Sequence, residues 1–241
     1  MTDSAISFPD TWELPFVEVF ETVEGEGMMA GYPTTFVRVF HCNLRCTWCD
    51  TPYSYAPAQP EFVASIKEIV ARVQEYGHGV ICLTGGEPLM HGEKSQALLY
   101  HLARQPYVRD VHVETNGAID LEPFVRLRQE MRESGTPIRF IMDYKLPDSG
   151  ETARMHLPNM ALLAERDELK FVVASEEDFS HALTVLTDYP TEAVVSFSPV
   201  WESMPPARLV ELLLVHRPNE GRARLSLQLH KIIWDPQQRG V

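Results

Sequence analysis

Apolar and polar positions alternate along residues 34–40, the period expected of a strand with one face buried. Farther on, Ile66, Ile69, Val70 and Val73 fall at i, i+3, i+4 and i+7, which predicts an amphipathic helix over 65–76. Short apolar runs at 79–83, 108–113, 138–142, 168–173, 193–197 and 224–229 predict further strands. Helix-length stretches at 95–104, 121–132, 176–187 and 207–216 separate most of them, with a shorter helix over 158–166. Alternation of this kind predicts a parallel sheet with right-handed crossovers. Six or so βα units are fewer than the eight of a closed barrel, so the expected class is α/β, a partial, open TIM-like β/α barrel. Neither repeats nor a dividing linker interrupt the pattern, and residues 1–241 read as one domain with an N-terminal extension over 1–15.

The pattern also says where to look for chemistry. In α/β sheets and barrels, ligands bind beyond the carboxyl ends of the strands. Those ends carry Cys42 to Cys49, then Thr84, Gly85, Gly86, Glu87 and Pro88, then Glu114, Thr115, Asn116 and Gly117. Asp143, Tyr144 and Lys145, then Ser198, Pro199 and Val200, and finally His230 and Lys231 follow later strands. Nearly all the unusual chemistry collects on one rim.

A formal net charge of −13 argues against a general affinity for nucleic acid, which needs clustered cations to neutralise phosphates. No apolar run is long enough to cross a bilayer, so no membrane association is expected. Residues 1–7 carry neither a basic nor an apolar export segment, so a cytoplasmic location is expected.

Cys42, Cys46 and Cys49 form a C-x₃-C-x₂-C loop directly after the first predicted strand. It offers three thiolates to one metal centre, whereas a closed structural site normally has a fourth protein ligand. Three ligands to a 4Fe-4S cluster leave one iron open for a small molecule. A zinc site completed by His41 or Asp50, or an oxidised pair, remains possible at this level. Cys82, alone in an apolar run, reads as a small buried hydrophobe.

In the Thr-Gly-Gly-Glu-Pro run at 84–88, paired glycines permit close approach to the backbone and Glu87 can accept hydrogen bonds from an ammonium group. The glycines at 25, 27 and 31 do not fit a dinucleotide fingerprint, the last gap being one residue too long. That segment precedes the first barrel strand and is expected to place Glu24 and Glu26 near the rim. Arg38 presents a fork suited to a carboxylate.

The cysteine spacing and the Gly-Gly-Glu turn resemble the radical S-adenosylmethionine (SAM) superfamily. Residues 22–27, 36–38, 42–51, 84–88, 114–117, 229–231 and 239–241, taken in order, are similar to the 7-carboxy-7-deazaguanine synthase family within it. The resemblance runs from about Glu18 to the C-terminus. It implies a radical SAM lyase that contracts the ring of 6-carboxy-5,6,7,8-tetrahydropterin to 7-carboxy-7-deazaguanine with loss of ammonia, in queuosine and other 7-deazapurine biosynthesis.

It further implies a 4Fe-4S cluster on Cys42, Cys46 and Cys49, SAM, and Mg2+ at the hydroxyl of Thr51. SAM contacts fall on Trp48, Asp50, Gly86, Glu87, Asp143, Tyr144, Lys145, Ser198, Pro199, Val200 and Trp201. Substrate contacts fall on Val23, Glu24, Gly25, Glu26, Arg38, Thr84, Glu114, Asn116, His230 and the α-carboxylate of Val241. The implied partners are the small-molecule pterin, an external electron donor such as flavodoxin or ferredoxin, and a second copy in a homodimer. This chain departs from the family at Glu24, where Gln is usual, at Asp143 and Tyr144, where Ser-Pro is frequent, and at Ser198, where Gln is frequent. A glycyl-radical activating enzyme shares the cysteine loop and the turn. A non-catalytic zinc or electron-transfer module shares only the thiols.

Overall fold

The computed structural model describes residues 6–131, 138–236 and 238–241. Residues 1–5 of the expected extension and residue 132 of the expected helix lie outside the described residues. A nine-stranded sheet in the order β3-β1-β2-β4-β5-β6-β7-β8-β9 organises the chain. Its strands are β1 (Glu13–Val23), β2 (Pro33–Val39), β3 (Phe62–Ser65), β4 (Val80–Gly85), β5 (Asp110–Thr115), β6 (Ile138–Tyr144), β7 (Glu168–Val173), β8 (Val194–Pro199) and β9 (Arg224–Leu225). From β2 to β9 every pairing is parallel, and the sheet stays open, as the strand–helix alternation predicts.

The connecting helices are α1 (Ile66–Tyr76), α2 (Glu93–Ala103), α3 (Glu122–Glu130), α4 (Glu176–Asp188) and α5 (Pro206–His216), with a short α6 (His230–Ile233) near the end. Ser65 opens α1 with a capping box: its hydroxyl accepts from Glu68 N, and the Glu68 carboxylate accepts from Ser65 N. The apolar stripe of α1 is seated as predicted, with Ile66, Ile69 and Val73 buried. No helix among the described residues is long and apolar enough to cross a membrane.

Three expectations are corrected. Residues 13–23, the first three assigned to the N-terminal extension and residues 16–22 to no element, form β1, which pairs antiparallel with β2 and β3. Its alternation (Leu14 and Phe16 buried, Glu13 exposed) is that of a strand interrupted by Pro15. The expected helix at 158–166 is a 3₁₀ stretch over Leu157–Leu162, started by Pro158 and stopped at extended Leu163. The last strand keeps only two residues, Arg224 and Leu225, which lie opposite Ser196 and Phe197.

One sheet face is apolar. Val37, Val39, Ile81, Leu83, Val111, Val113, Phe140, Met142, Leu169, Phe171, Val195 and Phe197 pack with the helices in a single cluster. Each large side chain there contributes about 1.5–3 kcal/mol by leaving water. The opposite face, inside the curl of the sheet, is polar, and the alternation of each strand assigns its residues: Arg38, Cys82, Thr84, Asp110, His112, Glu114, Arg139, Asp143, Glu168, Lys170, Ser196 and Ser198. Parallel strands covered on both faces are usually apolar throughout. A buried charged face is a site.

Candidate active site

Cysteine loop and carboxyl rim. β2 ends at Val39, and His41 takes a left-handed conformation (φ 89°) that turns the chain into the cysteine loop. The loops after β4, β5 and β6 brace it. Gly86 N donates to Val39 O (3.2 Å) and Glu87 N to His41 O (2.7 Å). Asn116 Nδ2 donates to Asn43 Oδ1 (2.8 Å) and lies 3.8 Å from Cys42 Sγ. Thr47 N donates to Ser149 O (3.1 Å) and Arg45 N to Glu151 Oε1 (2.5 Å). All three loop cysteines are free and part-exposed. Burial pushes the Cys42 thiol up, and it pushes Cys46 up to about 11 although Lys145 opposes it. Thiols so placed become thiolates together only around a cation, and the donor set therefore fits an iron–sulfur cluster. The His41 ring packs on Phe40 and His91.

The glycines also permit a close approach within the chain: a Cβ on Gly86 would lie 2.1 Å from His41 O and 2.9 Å from Cys42 Cβ, in the cysteine loop. Glu87 is wholly buried. Its oxygens accept from Leu89 N (3.0 Å), Asn116 N (2.7 Å) and Thr115 Oγ1 (2.9 Å). Burial raises its carboxyl to about 7 despite those donors. It braces the rim from behind, and Asn116, expected at the substrate, holds the cysteine loop.

Interior wall. One inward position below Gly86 on β4 is Thr84, whose hydroxyl donates to Glu114 Oε2 (2.8 Å). Burial raises Glu114, with Lys170 opposing. Arg38, the register partner of Thr84, uses Nε to meet Glu18 Oε1 (2.7 Å), and its Nη atoms make no hydrogen bond among the described residues. Lys145 Nζ pairs with Asp143 Oδ2 (2.7 Å), and Asp143 Oδ1 is buried without a partner among the described residues. Thr51 Oγ1 lies 3.3 Å from Asp50 Oδ1 and 3.9 Å from Cys49 Sγ. Tyr144, expected at SAM, faces the other way: its ring packs on Phe171 in the apolar layer. Ser198 is buried on the inner face, while Trp201 is exposed beyond the strand end.

Floor. Because β1 runs antiparallel to β2, with Val23 opposite Pro33, it delivers Glu24 and Glu26 to the amino ends of the parallel strands, not to the rim. The turn then folds inward. Glu24 Oε2 meets His112 Nε2 (2.7 Å), His112 Nδ1 meets Asp110 Oδ1 (2.8 Å), and Asp110 accepts from Arg139 Nε (2.7 Å) and Nη2 (3.1 Å). Glu26 accepts from Lys170 Nζ (2.6 Å) and Gln228 Nε2 (2.7 Å). Burial alone would raise Glu26, but the Lys170 ammonium holds it at about 2. Val23 lines a shallow groove with Pro33, His78 and Trp234. Gly25 O accepts from Leu229 N (3.0 Å), and a Cβ on Gly25 would lie 2.7 Å from His230 Nδ1, so His230 is seated on this turn and not at a strand end. The chain then climbs to the other end of β1. There Arg239 stacks over Tyr53 (3.7 Å), and a Cβ on Gly240, the residue before Val241, would lie 3.9 Å from Glu18 Oε2.

Sequence reasoning missed Asp110, His112, Arg139, Glu168, Lys170, Ser196 and Gln228. The signal was present as charges at alternate positions in strands that should be apolar on both faces. Cys82 is buried but stands on this polar face, outside the apolar cluster.

Comparison with known proteins agrees with this arrangement. Residues 37–143 match the Radical SAM superfamily. The chain is 34% identical over 227 residues to a 7-carboxy-7-deazaguanine synthase of Clostridium acetobutylicum, covering 93% of this chain and 98% of that one. It is 35% identical over 243 residues to a 7-carboxy-7-deazaguanine synthase of Leptospira interrogans, covering 93% and 96%. Among solved structures, QueE from Escherichia coli shares the fold with a TM-score of 0.61 at 20% identity, covering 90% of this chain and 94% of that one. Streptococcus suis SuiB shares it at 0.54 and 14%, covering 81% and 48%.

Proposed function

The chain belongs to the 7-carboxy-7-deazaguanine synthase family of the radical SAM superfamily, and from that premise we propose that it converts 6-carboxy-5,6,7,8-tetrahydropterin to 7-carboxy-7-deazaguanine with loss of ammonia. The observation that carries this reading is the cysteine loop docked on the Gly-Gly-Glu turn above an inward-facing polar wall of Arg38, Thr84 and Glu114.

A 4Fe-4S cluster would be held by Cys42, Cys46 and Cys49, leaving one iron for SAM. When bound, cluster and SAM supply a carbon-centred radical able to take hydrogen from a C–H bond. Everything else is positioning. The free Nη fork of Arg38 suits the substrate carboxylate, with Val241 closing the same side. Glu114, held by Thr84 and raised by burial, keeps its proton more readily than a surface carboxyl and meets the polar edge of the pterin. Asp143 and Lys145 flank Cys46 on the SAM side, with Gly86, Trp48, Asp50 and the 198–201 segment around it. Glu87 serves SAM by fixing the loop that carries Gly86. A buried site keeps a reactive intermediate from water and from stray side chains.

Mg2+ prefers hard oxygen ligands and retains waters, and the Thr51 hydroxyl beside the Asp50 carboxylate fits such an ion, completed by the substrate carboxylate. Thr51→Ala is expected to raise the Mg2+ concentration for half-maximal turnover on the order of tenfold, the loss of one oxygen ligand. An unaltered magnesium titration removes Thr51 from the site.

A one-electron donor such as flavodoxin or ferredoxin completes the system, and a reducing cytoplasm suits three cysteines that would serve as iron ligands. Exposed Leu214 and Val215 on α5 and Ile232 and Ile233 on α6 support a homodimer. The test of the reading is an anaerobic reaction with SAM, reductant, Mg2+ and the pterin. The product is expected to be lighter than the substrate by one ammonia, and unchanged pterin beside cleaved SAM would overturn the substrate assignment.

A further inference from the structure

We infer that His112 is a positioning residue which grips Glu24 from inside the barrel and thereby locks the turn over residues 24–27 as the base of the substrate site; the inference rests on the function proposed above.

The geometry is a chain of four buried ionisable groups from three elements. Arg139 on β6 forks onto Asp110, Asp110 meets His112 Nδ1, and His112 Nε2 meets Glu24. His112 is fully buried and Glu24 is 3% exposed, so neither is solvated. Glu24 does not present its carboxylate to a ligand. Oε1 accepts from Gly25 N (2.9 Å) and Glu26 N (3.3 Å), and Oε2 is taken by the imidazole. Glu24 N and O are also engaged, with Tyr32 O and Gly31 N (both 2.8 Å). The carboxylate is therefore the hub that shapes its own turn, and the imidazole makes its only hydrogen bond to a barrel strand among the described residues. What the turn carries is functional surface: Glu26 paired with Lys170, and Gly25 seating Leu229 and His230.

The groups facing His112 are Asp110 and Glu114 on β5, Arg139 on β6, Cys82 on β4 and Glu24 on the turn. Lys170 of β7, Glu26 and Arg38 of β2 stand beyond them. Burial would lower its pKa, but two carboxylates accepting from its two nitrogens raise it to about 9. As an imidazolium it satisfies both neighbours at once, which a neutral ring cannot do. Glu24, Cys82 and His112 also bring donor atoms within 4.8 Å of one another. A metal there would need Nε2 stripped of the proton that the Glu24 contact favours.

The experiment is a pH titration of the ¹³C,¹⁵N-labelled chain by NMR, with the His112 ring signals assigned through their correlation to the His112 backbone. Both ring nitrogens are expected to stay protonated through neutrality and to titrate near 9. In E24Q the midpoint is expected to fall by on the order of one to two pH units, since one of the two accepting carboxylates is gone. That comparison needs no catalysis and stands if H112N does not fold. In turnover, H112N is expected to raise KM for the pterin on the order of 10- to 100-fold while the spectroscopic response of the cluster to SAM is unchanged. KM of the wild type is expected to rise above about pH 9, and in E24Q that rise is expected to move to lower pH with the imidazole midpoint. A neutral His112 at pH 7, or H112N with wild-type KM, overturns the inference. So does one tightly bound zinc in a C42A/C46A/C49A chain that H112N abolishes. A wild type that binds SAM but leaves the pterin untouched defeats the function proposed above and leaves the titration standing as its own test.

Discussion

Gly86→Ala is expected to abolish cluster assembly while the sheet still folds. A Cβ at this position would stand 2.1 Å from His41 O, 2.5 Å from His41 C and 2.9 Å from Cys42 Cβ. The first two are backbone atoms, so no side-chain rotation relieves the overlap and the loop must move. His41 already occupies the left-handed region at φ 89°, which leaves little room for a further turn of the chain. Displacing it carries Cys42 away from Cys46 and Cys49, and a cluster needs all its thiolates at fixed distance. Overpacking elsewhere in a protein typically costs about 1–3 kcal/mol. Here the cost falls on a loop whose only large reward is the metal. Iron and sulfide analysis with visible absorption checks it, and near-normal thermal unfolding shows that the fold persists. Full iron content in the variant would mean that the glycine serves the ligand and not the loop.

Lys170→Met is expected to destabilise the fold by about 3–5 kcal/mol at pH 7, because it leaves a buried carboxylate without its counter-charge. Lys170 and Glu26 are each 11% exposed and 2.6 Å apart. The folded pKa of Glu26, about 2, lies below its ordinary 4.5. The pair therefore contributes stability that is fully present above about pH 4.5 and is lost as pH falls toward 2. The difference between wild type and variant should be largest at neutral pH and shrink through that window. Denaturant midpoints at a series of pH values check this, and E26Q added to K170M should recover part of the loss. A pH-independent difference would place the stabilisation in the packing of the lysine stem.

Most of the architecture was legible because hydrophobic period tracks burial. The strands at 79–83, 138–142 and 168–173 and the helix at 65–76 are each set by residues that the outer core encloses. The rim was legible too, since chain direction in a parallel sheet delivers every strand end to the same side, and the loops carrying Cys42, Gly86, Asn116 and Lys145 do meet there. The floor was not. Reading Glu24 and Glu26 as rim residues assumed that the segment before β2 approached from the rim, and only the antiparallel pairing of β1 reverses it. Tyr144 was misplaced for a simpler reason: it ends β6 next to inward-facing Asp143, and alternation sends its ring to the apolar layer. Motif resemblance gives a residue an address along the chain, not the direction of its side chain. Hence Glu87 and Asn116 were expected against ligands and stand as supports of the cysteine loop.

The central claim is that Cys42, Cys46 and Cys49 hold a cluster with one iron open to SAM. Electron paramagnetic resonance of the anaerobically reconstituted, reduced protein, recorded before and after addition of SAM, tests it most directly. The prediction is a 4Fe-4S signal that changes shape when SAM is added. A protein that holds no iron and sulfide, or a signal indifferent to SAM, would contradict it.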